Sequence, residues 1–325
     1  MSKAIRMHQT GGPEVLAWEE LEVPAPGPGQ VLLRHTAVGL NYIDTYHRSG
    51  LYPVPSFPSG LGMEAAGVVE EVGEGVTDLE ADQRVVYAGG PPGAYAERRT
   101  ISAERLVPIP DGIDDQTAAA MMLKGLTVQY LIRQIHSVQA GETILVHAAA
   151  GGVGLILCQW ARHLGVTVIG TVGTEDKAEL ARANGCQHPI LYTRENFTER
   201  VKELTGGQGV PVVYDSVGKA TFEGSLDCLR PRGLMVTFGN ASGAVPAFEP
   251  GILSTKGSLF LTRPTLVHYT ATRSDLLAAA RELFDVVTGG HVKISVNQTH
   301  PLAETARAHR DLEARKTTGS TVLLP

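Results

Sequence analysis

An apolar run, Thr143-Ile144-Leu145-Val146, leads into the octapeptide His147-Ala148-Ala149-Ala150-Gly151-Gly152-Val153-Gly154, and a helical pattern continues from Val153 to Leu164. Strand, glycine-rich turn and helix start in that order leave few folds open. The first N–H groups of a helix lack intrahelical partners and carry partial positive charge, and residues without bulky side chains let a phosphate reach them. The spacing Ala149-x-Gly151-x-x-Gly154 is the dinucleotide-binding pattern with Ala at the first glycine position. Taken alone, the match is a weak signal, and a plain strand-to-helix corner stays open as the lesser alternative.

The residues that follow narrow that choice. Val166 to Val172 predicts a second strand, and a polar helix from about Thr174 stops at the helix-ending pair Asn184-Gly185. Further strands are predicted at Pro189 to Tyr192, Val210 to Val217, Gly233 to Gly239 and Ser258 to Thr262, with helices around Phe197 to Leu204 and Thr221 to Leu229. Strands alternating with helices predict an α/β Rossmann domain built on a parallel sheet.

The first hundred-odd residues differ, with short strands such as Val31 to Arg34, Ala66 to Val72 and Arg84 to Tyr87 set between turns rich in Gly and Pro. They predict a compact β-rich barrel. Asp114-Asp115-Gln116 opens an Ala- and Met-rich helix toward Gly125, and a later helix is predicted from about Ser274 to Val287. Strand patterns at Ile294 to Val296 and Ser320 to Leu324 return to the β-rich part, which makes the Rossmann domain an insertion. The expected division is 1–123 and 264–325 for the β-rich domain and 124–263 for the Rossmann domain.

Composition excludes several classes. With 325 residues, 43% hydrophobic and 19% charged, the chain is long enough for two cores and unlike a disordered or coiled-coil sequence. A net charge of −6 without a basic run argues against a nucleic-acid surface. Cys158, Cys186 and Cys228 are unpaired in spacing and read as buried thiols. No apolar stretch reaches the ~20 residues of a membrane span, and the first residues lack a signal-peptide core, so a cytoplasmic enzyme is expected.

Nearly the whole chain resembles the medium-chain dehydrogenase/reductases, and within them the zinc-independent quinone oxidoreductases related to zeta-crystallin. The resemblance rests on Asn41-Tyr42-Ile43-Asp44 with Tyr46, Arg48 to Pro53, Gly62 to Val69, Leu123 to Thr127, His147 to Gly154, Val213 to Gly218 and Phe238 to Gly243. It implies a GroES-like β-rich catalytic domain interrupted by a Rossmann domain, with the active site in the cleft between them. Zinc alcohol dehydrogenases carry a cysteine near Leu40-Asn41 and a histidine where Met63 stands. An amide and a thioether cannot replace the thiolate and imidazole that catalytic zinc prefers, so no metal is expected. Without a Lewis acid, alcohol oxidation loses its means of acidifying the hydroxyl. A quinone is already electrophilic, so positioning and a few hydrogen-bond donors suffice.

An acidic residue at the end of the second Rossmann strand usually holds the ribose of NAD. Here the strand runs through Val172-Gly173-Thr174 with no carboxylate before Glu175. Lys177 and Tyr192 stand at positions where the family binds the 2′-phosphate, so the resemblance implies NADPH, with Gly173 and Thr174 adding hydrogen bonds.

The rest of the cofactor track is expected at Gly151, Gly152, Val153, Gly154, Ser216, Val217, Phe238, Gly239, Asn240, Thr262 and Arg263, with Arg315 near the phosphates. The resemblance puts Asn41, Tyr46, Tyr52 and Tyr130 around the nicotinamide and substrate, where tyrosines offer a flat face and a hydroxyl. The implied function is NADPH-dependent quinone reduction. Its alternatives are reduction of 2-alkenals or enones and, in another class, a non-catalytic NADPH- or RNA-binding role. The resemblance also implies a homodimer, with the edge strand Ser258 to Thr262 pairing with its copy, which would cover an open apolar edge.

Overall fold

The computed structural model describes residues 2–325 as two compact units. One comprises residues up to Leu126 together with Thr270–Thr288 and Ile294–Pro325, and the other comprises Thr127–Tyr269 with Gly289–Lys293.

The second unit is built on a six-stranded parallel sheet in the order His188–Leu191, Thr167–Val172, Thr143–Val146, Val210–Asp215, Leu229–Thr237 and Phe260–Thr262. The strand order reverses at Thr143–Val146, the topological switch point where such sheets bind ligands beyond their strand ends. Every residue of Val210–Asp215 is buried, as the continuous apolar runs of a parallel sheet require. Phe260–Thr262 is shorter than the sequence pattern indicates, because Ser258 takes a left-handed φ of 56° and pairing begins only at Phe260. It lies at the sheet edge, and Phe260 is 60% exposed.

The first unit carries a seven-stranded sheet whose spine is Gln30–Leu40, paired antiparallel with Glu64–Val72, Arg98–Ser102 and the C-terminal strand Ser320–Leu324. Thr321 faces Leu40, so the end of the chain does return to the β-rich part. Ile5, Val31, Leu33, Leu61, Tyr95 and Leu323 belong to its core.

Sequence patterning gave little warning of helix Tyr42–Ser49, which follows that spine strand directly. Its N-cap is Asn41, and Asp44 three residues on closes a capping box. Gly50 ends it in a left-handed conformation, φ 85°.

Candidate active site and relatives

The glycine-rich turn is sharp because Ala148 adopts a left-handed φ of 56°. Gly151 then enters the helix Gly152–His163 in extended conformation, and no side chain caps that helix. A Cβ on Gly154 would lie 2.4 Å from the Ala148 carbonyl oxygen, so only glycine allows the helix to sit this close to the strand. Ala149 at the first glycine position is accommodated from across the sheet. Its methyl group occupies the space a Cβ on Gly170 would need, 2.6 Å away. The outcome is an open helix N-terminus on a rigid, buried helix, suited to an anionic group.

Beneath the turn, His147 bonds Thr171 Oγ1 and Ser225 Oγ, each at 2.9 Å. Ser225 donates onward to Asp215, which places the His147 proton on Nε2. Burial lowers its pKa, so the imidazole stays neutral and structural. Asp215 accepts the Val217 and Gly218 N–H groups at 2.7 and 3.0 Å and the Thr221 hydroxyl at 2.7 Å, shaping the loop beyond its strand.

At the end of Thr167–Val172, Thr174 caps the next helix by accepting the Lys177 N–H at 3.4 Å. Tyr192 follows strand His188–Leu191, and its hydroxyl lies 2.7 Å from where a Cβ on Gly173 would stand. Gly173, Thr174, Lys177 and Tyr192 therefore gather around two neighbouring strand ends, with Tyr192 45% exposed. Glu175, the nearest carboxylate, pairs with Arg194 at 3.5 Å.

On the other side of the switch point, Gly239 approaches Ser216 so closely that a Cβ would meet its carbonyl oxygen at 2.3 Å. Val217 O accepts the Ser242 N–H at 2.8 Å, and the Phe238 N–H donates to Asp215 O at 2.8 Å. The Asn240 amide, with its oxygen toward Arg263 Nη2 at 3.1 Å, joins Thr262-Arg263 to this loop. Tyr130 opens a π-helical turn, Tyr130–Ile135, and stacks on Tyr269 with centroids 4.6 Å apart. Burial raises its pKa, which keeps the hydroxyl protonated.

Asn41, Tyr46, Tyr52 and Arg315 belong to the first unit. Tyr46 and Tyr52 meet edge to face at 5.2 Å, and the Tyr52 N–H donates to Tyr46 O at 3.0 Å. Arg315 is exposed just beyond helix Thr305–Glu313, with φ 59°.

Asn41 donates its amide to the buried Glu64 at 2.7 Å and its backbone N–H to Asp44 at 2.9 Å. Burial pushes the Asp44 carboxyl up to about 7. Tyr95 donates to Asp44 at 2.7 Å and contacts His309 Nε2 at 3.1 Å. His309 Nδ1 accepts from Arg48 at 2.9 Å, and Arg48 ends the chain on Glu313 with bonds of 2.7 and 3.0 Å. Sequence reasoning missed the roles of Tyr95 and His309. Only the Asn-x-x-Asp capping pattern was available as a signal, and their partners lie far away in the chain.

The Asn41 amide is committed to Glu64, and residue 63, next to Glu64, is a methionine with a thioether side chain. Among the described residues no group of three His, Cys, Asp or Glu side chains is arranged to hold a metal.

Two family models match the chain: the alcohol dehydrogenase GroES-like domain over residues 27–111 and the zinc-binding dehydrogenase over residues 152–285. A quinone oxidoreductase of Pseudomonas aeruginosa is 58% identical over 325 residues, all of both chains. A 2-haloacrylate reductase of a Burkholderia species is 52% identical, covering 100% of this chain and 99% of the relative. The structure of Escherichia coli quinone oxidoreductase complexed with NADPH superposes with a TM-score of 0.98 at 51% identity, covering 99% of this chain and 100% of that one. The chain thus belongs to the quinone oxidoreductase family of the medium-chain dehydrogenase/reductases.

Proposed function

We propose that this protein reduces quinones with NADPH and without a metal. The observation that carries the reading is the gathering of Gly173, Thr174, Lys177 and Tyr192 at two adjacent strand ends, where an NAD site has a carboxylate. Lys177 supplies the charge for a 2′-phosphate, Tyr192 and Thr174 supply hydroxyls, and the uncapped turn from Gly151 to Gly154 takes the pyrophosphate. When bound, NADPH supplies the hydride that a quinone accepts. Asn41 and Tyr46 hold the nicotinamide end, and Tyr52 and Tyr130 offer ring faces and hydroxyls to the acceptor and its developing oxygen charge. The donors at Asn41 and Met63 suit no catalytic zinc, so polarisation of the acceptor falls to hydrogen bonds.

The exposed edge Phe260–Thr262 pairs with its copy in a homodimer. No helix among the described residues is long and apolar enough to cross a membrane, and we place the enzyme in the cytoplasm. The acidic balance favours small-molecule partners over nucleic acid. A second reading, reduction of an activated carbon–carbon double bond, draws support from the similarity to a 2-haloacrylate reductase. A panel of quinones, enones and 2-haloacrylates assayed with NADPH discriminates them. The proposal requires the highest kcat/KM on quinones, and turnover confined to the alkenes would replace it with the second reading.

A further inference from the structure

Glu64 belongs to neither the glycine-rich turn nor the set of tyrosines, yet its fully buried carboxylate sits directly behind Asn41. Space for it is created by Gly39, where a Cβ would stand 2.4 Å from Glu64 Oε2 and 2.2 Å from the Ala119 carbonyl oxygen. Three donors converge on it. Oε1 accepts the Leu123 N–H at 2.6 Å, and Oε2 accepts the Asn41 side-chain amide at 2.7 Å and the Lys124 ammonium at 3.4 Å. Asn41 Nδ2 also points to the Gly39 carbonyl at 3.4 Å. Both contacts of that nitrogen are acceptors, so the amide has one stable orientation: nitrogen toward Glu64, oxygen toward the N-terminus of helix Tyr42–Ser49, where the capping box closes.

We infer that Glu64 is a positioning residue that fixes the orientation of the Asn41 amide beside the nicotinamide, and through the cap sets the helix turn that carries Tyr46. The inference rests on the placement of Asn41 at the nicotinamide under the proposed function. A carboxylate is needed because it accepts from all three donors, whereas an amide at this position has one acceptor oxygen and turns its own N–H toward Asn41 or Leu123. With the lock removed, Asn41 populates both orientations, and only the native one keeps its oxygen on the helix cap and its nitrogen away from it.

The test is a double-mutant cycle on the full chain, reading NADPH affinity from the quenching of nicotinamide fluorescence alongside kcat with a quinone. Glu64→Gln is expected to lower kcat about tenfold, the scale of one charge-assisted hydrogen bond, with NADPH Kd changed less than about threefold because the phosphate contacts persist. In an Asn41→Ala background the same substitution is expected to leave kcat unchanged. An equal loss in both backgrounds, or no loss in the parent, overturns the role of Glu64 alone. If Asn41→Ala by itself alters neither kcat nor Kd, the placement of Asn41 falls and the inference with it.

Should Glu64→Gln fail to fold, the charge-exchanged pair still decides. Asn41→Asp sets two carboxylates against each other, and adding Glu64→Gln restores a donor–acceptor pair. Recovery of soluble protein and NADPH binding in the double variant supports the contact, and a double variant no better than Asn41→Asp overturns it.

Discussion

Acidification should unfold this protein through its buried histidines, and His309 allows the effect to be measured one residue at a time. Its ring lies among Tyr95, Arg48 and the first-unit core. Burial first, and the Arg48 guanidinium second, lower its pKa from 6.5 to about 3. An unfolded chain binds a proton near 6.5 that the folded one refuses until about 3, so this stability is present above 6.5 and is lost as pH falls through that window. One pKa unit is worth about 1.4 kcal/mol, which gives a loss of roughly 1.5–2 kcal/mol between pH 6.5 and 5 from His309 alone.

His35, bonded to the Ala96 carbonyl at 2.6 Å and likewise lowered to about 3 by burial, adds a similar loss. Asp44 opposes both. Its carboxyl is raised by burial from 3.8 to about 7, so its contribution is fully present below 3.8 and is lost as pH rises through 7. His309→Gln keeps an acceptor for Arg48 and a donor for Tyr95 and removes the titration. Urea midpoints at several pH values, followed by the fluorescence of Trp18 on the first-unit core in a Trp160→Phe background, isolate the difference. Between pH 6.5 and 5 the parent should lose roughly 1.5–2 kcal/mol more than His309→Gln. Parallel pH dependences would show that the buried ring is not the proton-refusing group.

Three further outcomes are expected. Lys177→Ala should weaken NADPH binding roughly ten- to a hundredfold and leave NADH nearly unchanged in a fluorescence titration, and equal losses would remove the 2′-phosphate assignment. Gly154→Ala places a methyl group against backbone at 2.4 Å. It should cost about 1–3 kcal/mol in urea unfolding and at least tenfold in NADPH affinity, whereas unchanged binding would show that the turn does not carry the cofactor. Under the proposed homodimer, Phe260→Lys charges the pairing edge and should give monomer in analytical ultracentrifugation where the parent gives dimer; a monomeric parent would remove the proposed dimer, and a dimeric variant would move its interface elsewhere.

How much of this was legible in the sequence depends on how local the cause is. Strands Thr143–Val146 and Val210–Asp215 announce themselves because a strand buried on both faces must be apolar throughout. The turn at Gly151 is local too, since a tight corner and an approach to backbone both demand small residues. Helix Tyr42–Ser49 was hidden because Asp44, Thr45 and Arg48 are polar yet buried, which breaks the apolar stripe that marks a helix. Their partners Tyr95, His309 and Glu313 come from remote parts of the chain, so the network exists only once the sheet has brought them together. Likewise nothing local signals that Gly170 makes room for the methyl of Ala149, or Gly39 for the carboxylate of Glu64.

Quinone reduction by this protein should be metal-independent and NADPH-specific. The decisive measurement is the rate of NADPH oxidation with a benzoquinone after exhaustive chelation, alongside the same assay with NADH. The rate should be undiminished in chelator, and kcat/KM at least about tenfold higher with NADPH, the lower end of the energy assigned to Lys177. A rate abolished by chelation and restored by zinc, or equal use of the two nucleotides, would contradict it.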